Sequence, residues 1–472
     1  MLPGAENPTA SAGSTCHVLA MPYPGRGHIN PMMNLCRSLS SKHPNILITF
    51  VVTEEWLALI GPDHKAAADS DKIRFATVPN VIPSELVRAK DFPGFVKAVT
   101  TKLQAPFEMV LDELELELPV NTIIADTYLL WMSEVGNRRG IPVASLWTMS
   151  ASVFSVFLHF DLLRQHRHYP IEDFSGVGEE TVDYIPGLPP TPISDLQPFI
   201  SEASRQILPV ALECISLVSR VQCLLFTSPY EFEPNLFDAL KRHFAFSVYP
   251  IGPSIPYLKL QADDTIINVQ YLQWLDAQPK ASVLYVSMGS FLSASKQQTE
   301  EIVAGVKNSG VPFLLVSRGD GTIGGGGERR GEGMAVPWCD QLRVLCHDSV
   351  GGFWTHCGLN STLEAVFAGV PMLCWPLAWD QIPNCKSIVD DWKVGRRARK
   401  RWVGGGEELV TRDEVADMVR RFMDSENGEV KGMRERASEL RGVFRAAVAD
   451  GGSSDVGLDC FVKDISNQFR AS

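Results

Sequence analysis

Two α/β domains of similar size, each built on a parallel sheet, are what this sequence predicts, and three observations carry the prediction. Short apolar runs alternate with helical stretches twice over. A run of turn-forming residues, Tyr249-Pro250-Ile251-Gly252-Pro253-Ser254-Ile255-Pro256, separates the two series. The length, 472 residues, is enough for two cores.

In the first half, His17 to Tyr23, Ile46 to Val52, Ile73 to Val78, Thr122 to Asp126, Pro142 to Trp147 and Cys223 to Thr227 read as strands. In the second, Val283 to Met288, Phe313 to Ser317, Val350 to Phe353 and Met372 to Trp375 read the same way. Arg412 to Val448 and Ser453 to Phe469 read as helices. The expected division is a disordered leader over 1–15, a first domain over 16–249, a linker over 250–270 and a second domain over 271–452. A last helix over 453–472 is expected to pack back on the first domain. Two similar halves imply a cleft, with ligands at the carboxyl ends of strands.

The composition is that of a globular protein: 45% hydrophobic and 21% charged, with mean hydropathy near zero. A net charge of −12 argues against nucleic acid or an anionic membrane as the main partner. There is no run long enough for a spanning helix and no signal-peptide pattern at the N-terminus, so the expected location is the cytoplasm. Ten cysteines without a CxxC pair suit reduced thiols rather than a disulfide framework or a zinc site. Asp69-Ser70-Asp71 has a metal-binding look, but in an Ala-rich polar stretch it reads as a loop.

The densest pattern lies between Trp338 and Gln381. An apolar strand ends at His356-Cys357-Gly358, and a helix is expected to begin near Asn360, capped by Asn360 or Ser361. Ser361 and Glu364 have capping-box spacing, Gly369 stops the helix and Pro371 prevents its resumption. A helix N-terminus reached through glycine, with His, Asn and Ser beside it, suits a pyrophosphate. Trp338 offers a face for a base. Taken singly, each feature has a structural reading as cap or packing residue.

Together, Trp338-Cys339-Asp340-Gln341, His356-Cys357-Gly358-Leu359-Asn360-Ser361, Glu364, Gly369-Val370-Pro371 and Asp380-Gln381 resemble the signature box of the plant secondary-product UDP-glycosyltransferases. These are inverting enzymes of the two-domain GT-B fold, and the resemblance runs from Cys16 to the C-terminal helices. It implies that Trp338 stacks on uracil while Cys339, through its backbone, and Gln341 read its edge. His356, Gly358, Leu359, Asn360 and Ser361 would surround the phosphates, Glu364 the ribose, and Asp380 and Gln381 the sugar. Ser290, in a glycine turn after a strand, would face the phosphates from another loop. Glutamine at 381 is associated with UDP-glucose. Asp340 stands where proline is commoner, an exchange expected to change only loop stiffness. Leu359 stands where the family has tryptophan, in a contact that is largely backbone.

At the other end, strand His17 to Tyr23 runs into Pro24-Gly25-Arg26-Gly27-His28, with a helix expected from Asn30, its cap, and Pro31. No G-x-G-x-x-G is present, so a dinucleotide fingerprint is not supported. His28 lies at a strand-to-helix turn, where it is either a hydrogen-bonding structural residue or a base. Attack by an acceptor hydroxyl needs a base working near neutrality, with a buried carboxylate to hold the ring. Asp126, ending an apolar strand, is the candidate partner. The resemblance implies the same pair, and places Thr148 against the sugar.

Val81, Trp131, Trp147, Phe154 and Phe157, with Phe160, could wall an apolar acceptor pocket, though core packing explains each equally well. The expectation is a monomeric enzyme that moves glucose from UDP-glucose to a flavonoid, other phenolic or terpenoid alcohol, with no metal and no cofactor beyond that co-substrate. A silent UDP-sugar-binding or phenolic-binding protein and a C-glycosyltransferase are the alternatives.

Overall fold

The structure is a computed structural model that describes residues 15–60, 72–171, 179–200, 205–260, 270–289, 294–317, 333–399 and 409–471. The leader up to residue 14, Asp69 and Asp71, Ser290, and the glycine run 404–406 lie outside the described residues.

The first half holds β1 (Cys16–Met21), β2 (Ile46–Thr53), β3 (Ile73–Val78), β4 (Thr122–Asp126), β5 (Val143–Trp147), a ribbon of β6 (Thr181–Val182) and β7 (Thr191–Pro192), then β8 (Cys223–Phe226) and β9 (Ser247–Pro250). The second holds β10 (Val283–Ser287), β11 (Phe313–Val316), β12 (Met334–Val336), β13 (Val350–Thr355), β14 (Met372–Cys374) and β15 (Gly395–Arg397). The larger strands form a seven-stranded sheet, β3-β2-β1-β4-β5-β8-β9, and a six-stranded sheet, β12-β11-β10-β13-β14-β15. Every pairing within these two sheets is parallel. Strands such as β1 and β4 are buried along their whole length, which is why they read as unbroken apolar runs.

Chain order reverses between β1 and β4 in the first sheet and between β10 and β13 in the second. At such a switch point the loops leave in opposite directions and open a crevice at the carboxyl edge. β1 and β4 pair with Met21 opposite Ala125, so the loop after β1 emerges beside Asp126. β10 and β13 pair with Ser287 opposite Thr355, so the turn at Gly289 emerges beside His356. The two reversals therefore position the two halves of the predicted site.

Several boundaries differ from the sequence expectation. The helix predicted to start near Asn30 begins at Arg26 and runs to Lys42, with Gly25 as an extended N-cap and no side-chain cap. Asn30 and Pro31 lie inside it, because the amides of His28 and Ile29 already bond to the Gly25 carbonyl. Strand β9 covers Ser247–Pro250, where the linker was expected to begin; its proline sits at the strand's end on an edge of the sheet, where a missing donor is tolerated. The helical stretch from Arg412 divides into Arg412–Met423 and Gly428–Val448, the first opened by a Thr411–Glu414 capping box.

The last helix, Ser453–Ala471, buries Leu458, Phe461, Val462 and Ile465 in the same cluster as Val18, Ile48 and Leu225 of the first sheet. Asp464 accepts hydrogen bonds from Ser247 and Tyr249, and Asp455 pairs with Lys42. The chain thus crosses to the second half and returns to the first. Among the described residues, no helix is long and apolar enough to cross a membrane.

Candidate functional site

His28 stands in the first turn of the helix Arg26–Lys42, not on a turn before it. Its Nδ1 lies 2.7 Å from Asp126 Oδ2 and 2.9 Å from Thr148 Oγ1. Asp126 is the buried member, its side chain 1% exposed against 23% for His28. Its other oxygen, Oδ1, accepts the Tyr128 backbone N–H at 3.0 Å. A carboxylate held in this way draws the imidazole proton to Nδ1 and leaves the Nε2 lone pair as the ring's acceptor. Thr148, expected against the sugar, meets the same ring nitrogen as Asp126.

Residues that sequence reasoning missed hold this arrangement. The rings of Tyr23 and Tyr128 pack at centroid distances of 5.1 and 6.1 Å from His28. Beneath the loop, Arg88 Nη1 donates to the Pro24 carbonyl at 3.2 Å while Nη2 pairs with Glu85 at 3.1 Å. Gly25 lets the Arg88 guanidinium lie close, since a Cβ would stand 2.2 Å from Arg88 Nη1 and displace it. Glu85-Leu86-Val87-Arg88 has no pattern that marks a site, whereas the two tyrosines flank the motif residues.

The predicted acceptor wall is largely core, which corrects that expectation. Trp131 packs on Phe107 and donates its indole N–H to the Val99 carbonyl. Phe154 is fully buried among Trp147, Phe226 and Phe244. Trp147 lies under Tyr128, stacked at 5.6 Å, and Phe157 and Phe160 are buried with it in the same cluster. Val81 alone of the five proposed wall residues is half-buried. A separate cavity of about 410 Å³ opens between Val153, Leu188, Phe199, Glu233, Lys386 and Trp392, and none of the predicted site residues lines it.

On the second sheet, the helix expected from Asn360 begins at Leu359, with Gly358 as its extended N-cap. The Ser361–Glu364 capping box does not form. Instead Gln341 Nε2 donates to both Ser361 Oγ, at 2.8 Å, and Glu364 Oε2, at 2.7 Å, while its Oε1 accepts from Tyr285 at 3.1 Å. The amides of Leu359, Asn360 and Ser361 precede the first intrahelical bond, Thr362 N to Gly358 O, so they are the groups this helix can offer an anion. His356 is wedged between two glycines: a Cβ on Gly289 or Gly358 would come within 2.6 or 2.5 Å of its Nε2. Burial pushes its imidazole down to about 4, so at neutral pH the ring is uncharged.

Trp338 is 66% exposed, an unusual state for tryptophan and the one a stacking face needs. Cys339 is buried, its thiol 3.4 Å from the Tyr285 hydroxyl. Asp340 does more than alter loop stiffness. It caps the helix Gln341–Leu345 and its N–H donates to Tyr271, a bond proline could not make. Leu359 is buried in the second-half core with Leu342, Leu345 and Leu363, so no packing deficit marks the missing tryptophan.

Burial pushes the Glu364 carboxyl up to about 7 against the lowering effect of Gln341, and the Asp380 carboxyl up to about 6 against Asn384 and His28. Gln381 spends its carbonyl oxygen on the Leu377 and Ala378 amides, at 2.9 and 3.3 Å, which leaves its NH₂ as the group it can give a sugar.

The two ends meet. Pro31 has no N–H, so the Gly27 carbonyl four residues earlier lacks its helical donor. Asn360 Nδ2 supplies one across the cleft, at 3.2 Å. Trp379 and Phe92 add an aromatic contact at 5.8 Å between the same two halves. The result is a histidine bonded to a buried carboxylate on one wall, and a neutral histidine, three helix-end amides and two half-buried carboxyls on the other.

Residues 264–401 match the family model described as UDP-glucoronosyl and UDP-glucosyl transferase. The chain is 52% identical to UDP-glycosyltransferase 87A2 of Arabidopsis thaliana over 96% of its length and 97% of that protein's. It is 30% identical to a 7-deoxyloganetin glucosyltransferase of Gardenia jasminoides, covering 95% and 97%. Among solved structures it resembles Medicago truncatula UGT71G1 complexed with UDP-glucose, with a TM-score of 0.76 at 26% identity, covering 96% and 98%. Os79 from O. sativa, solved with U2F and trichothecene, gives 0.80 at 26%, covering 95% and 100%.

Two outcomes follow from this geometry. Leu359→Trp, placed in a filled core, lowers stability by about 1–3 kcal/mol in a urea titration; a gain would mean that leucine leaves room. Glu364→Gln tests the half-buried carboxyl. A folded-state pKa raised from 4.5 to about 7 means that wild type loses stability as pH rises through that interval, and glutamine does not. The variant therefore matches wild type near about pH 4 and exceeds it by on the order of 2 kcal/mol near about pH 8. An advantage that does not grow with pH would contradict the assignment.

Proposed function

The chain belongs to the UDP-glycosyltransferase family and has its two-sheet GT-B fold, and from that premise we propose an inverting O-glucosyltransferase for a small apolar phenol or alcohol. The observation that carries the chemistry is the 2.7 Å contact between His28 Nδ1 and a buried Asp126. With Nδ1–H donated to Asp126, Nε2 takes the acceptor's proton as its oxygen attacks the anomeric carbon. That carbon's bond to the β-phosphate oxygen breaks on the opposite face, and UDP departs with the electron pair. Attack opposite the leaving group inverts the centre. The imidazolium that forms is stabilised by Asp126 at contact distance.

Charge on the departing diphosphate is met by the Leu359, Asn360 and Ser361 amides and by neutral His356, donors fixed before the reaction begins. Glu364 would take the ribose hydroxyls, with Gln341 holding it in place, and Asp380 and Gln381 the sugar. Trp338 would stack on uracil. Because these donors meet the diphosphate charge, the reaction as proposed needs no metal. Glucose as the sugar rests on Gln381 and on the named glucosyltransferase among the relatives. A small apolar acceptor rests on the Tyr23 and Tyr128 rings beside His28 and on the trichothecene held by a solved relative.

The test is a product assay with UDP-glucose and a panel of phenols and terpenoid alcohols, with anomeric configuration read by NMR. The expected product is an O-linked β-glucoside formed at the same rate with or without EDTA. Preference for another UDP-sugar, an α-linked or carbon-linked product, or a rate restored only by Mg²⁺ or Mn²⁺ would each overturn the corresponding part. Asp126→Asn should lower turnover by roughly ten- to a thousandfold while UDP affinity stays at wild type, since the ring remains but its tautomer and charge support weaken. Weakened UDP binding would place Asp126 in the donor site instead.

A further inference from the structure

The sequence reading set zinc chemistry aside because no two cysteines are closely spaced. The fold brings three of them together. Cys357, at the end of β13, Cys374, at the end of β14, and Cys385, on the helix Gln381–Lys386, have sulfur atoms that all lie within 4.8 Å of one another. All three side chains are fully buried. We propose that these thiols form a trithiolate site for one thiophilic divalent cation of the Zn²⁺ type, separate from the chemistry at His28.

The geometry is close to what such an ion requires. Three sulfurs each about 2.3 Å from a tetrahedral ion stand about 3.8 Å apart, so the cluster needs to close by no more than about 1 Å. Soft thiolates select soft or borderline ions, and a site without carboxylate or imidazole in its first set of ligands disfavours Mg²⁺ and Ca²⁺. One cation adjoins the cluster: Arg397 Nη1 donates to Cys385 Sγ at 3.3 Å, while its Nη2 pairs with Asp390 at 2.9 Å and lies 3.6 Å from Asp195. As three metal–sulfur bonds form, the thiol protons pass to solvent. The divalent ion then leaves one net negative charge, which Arg397 faces. No electron is transferred.

A consequence is also present. Two of the cysteines lie beside the proposed donor residues: Cys357 adjoins His356 and Gly358, and Cys385 follows Asn384, whose Nδ2 bonds both the Cys357 carbonyl and Asp380 Oδ2 at 3.0 Å. A bound ion would pin together the strand ends and the helix on which that wall is built.

The test uses the full-length, reduced protein with CdCl₂ as the probe and ZnCl₂ as competitor. One Cd²⁺ per chain should bind, with a sulfur-to-cadmium charge-transfer band that Zn²⁺ removes, and it should raise the unfolding midpoint. Cys374→Ser and Cys385→Ser should lose both band and shift, whereas Cys346→Ser and Cys460→Ser should keep them. Cadmium X-ray absorption on the wild-type protein, which does not depend on variants folding, should count three sulfur ligands. No binding by wild type, a band that survives both core variants, or coordination by oxygen and nitrogen would overturn the proposal.

Discussion

Parallel pairing of β1 with β4 is the constraint on which the rest of the site depends. It sets the end of one strand, Asp126, beside the loop that leaves the other, and so puts a buried carboxylate 2.7 Å from an imidazole that stays open to the cleft. Everything chemical about His28 follows from that contact, because a histidine bonded at Nδ1 has one nitrogen left to work. The second sheet repeats the device with different residues. Pairing of β10 with β13 brings Gly289 against His356, and the absence of a side chain at 289 is what lets the ring lie there.

What joins the walls is modest in energy and specific in geometry. The hydrogen bond from Asn360 to the Gly27 carbonyl exists because a proline inside the first helix leaves that carbonyl without a donor. One residue thus belongs to the helix end that we propose for the diphosphate and also touches the residue next to His28. The C-terminal helix contributes at longer range, since its buried Phe461 and Ile465 tie the end of the chain to the first sheet. His28 and His356 are therefore carried by different sheets, and the two halves also meet away from them, where Phe232 packs on Trp392 and Phe444 and Arg397 approaches Asp195.

Much of this was legible in the sequence, for a physical reason. Strands buried on both faces announce themselves as apolar runs, and the residues that end them, Asp126 and His356, fall where parallel sheets bind ligands. Helix starts were less legible: Gly25 and Gly358 cap by backbone alone, so Asn30, Asn360 and Ser361 drew the boundary inward by their side-chain chemistry. Composition and periodicity did not separate Trp131 and Phe154 in the core from Trp338 on the surface; only the signature box set Trp338 apart. Contacts between distant segments left no local trace. Arg88 under Gly25, Gln341 between Ser361 and Glu364, and the three thiols at 357, 374 and 385 are products of topology, visible only once the strands are laid side by side.

The central claim is that His28 serves the acceptor's proton and not the nucleotide. Titration calorimetry of UDP with His28→Ala, alongside its steady-state rate on a weakly acidic alcohol, tests it most directly. The account predicts UDP affinity at the wild-type level and turnover lower by roughly two to four orders of magnitude, with a smaller loss on an acidic phenol that arrives partly deprotonated. Near-normal turnover on the alcohol would contradict it, and another residue would then have to take the proton.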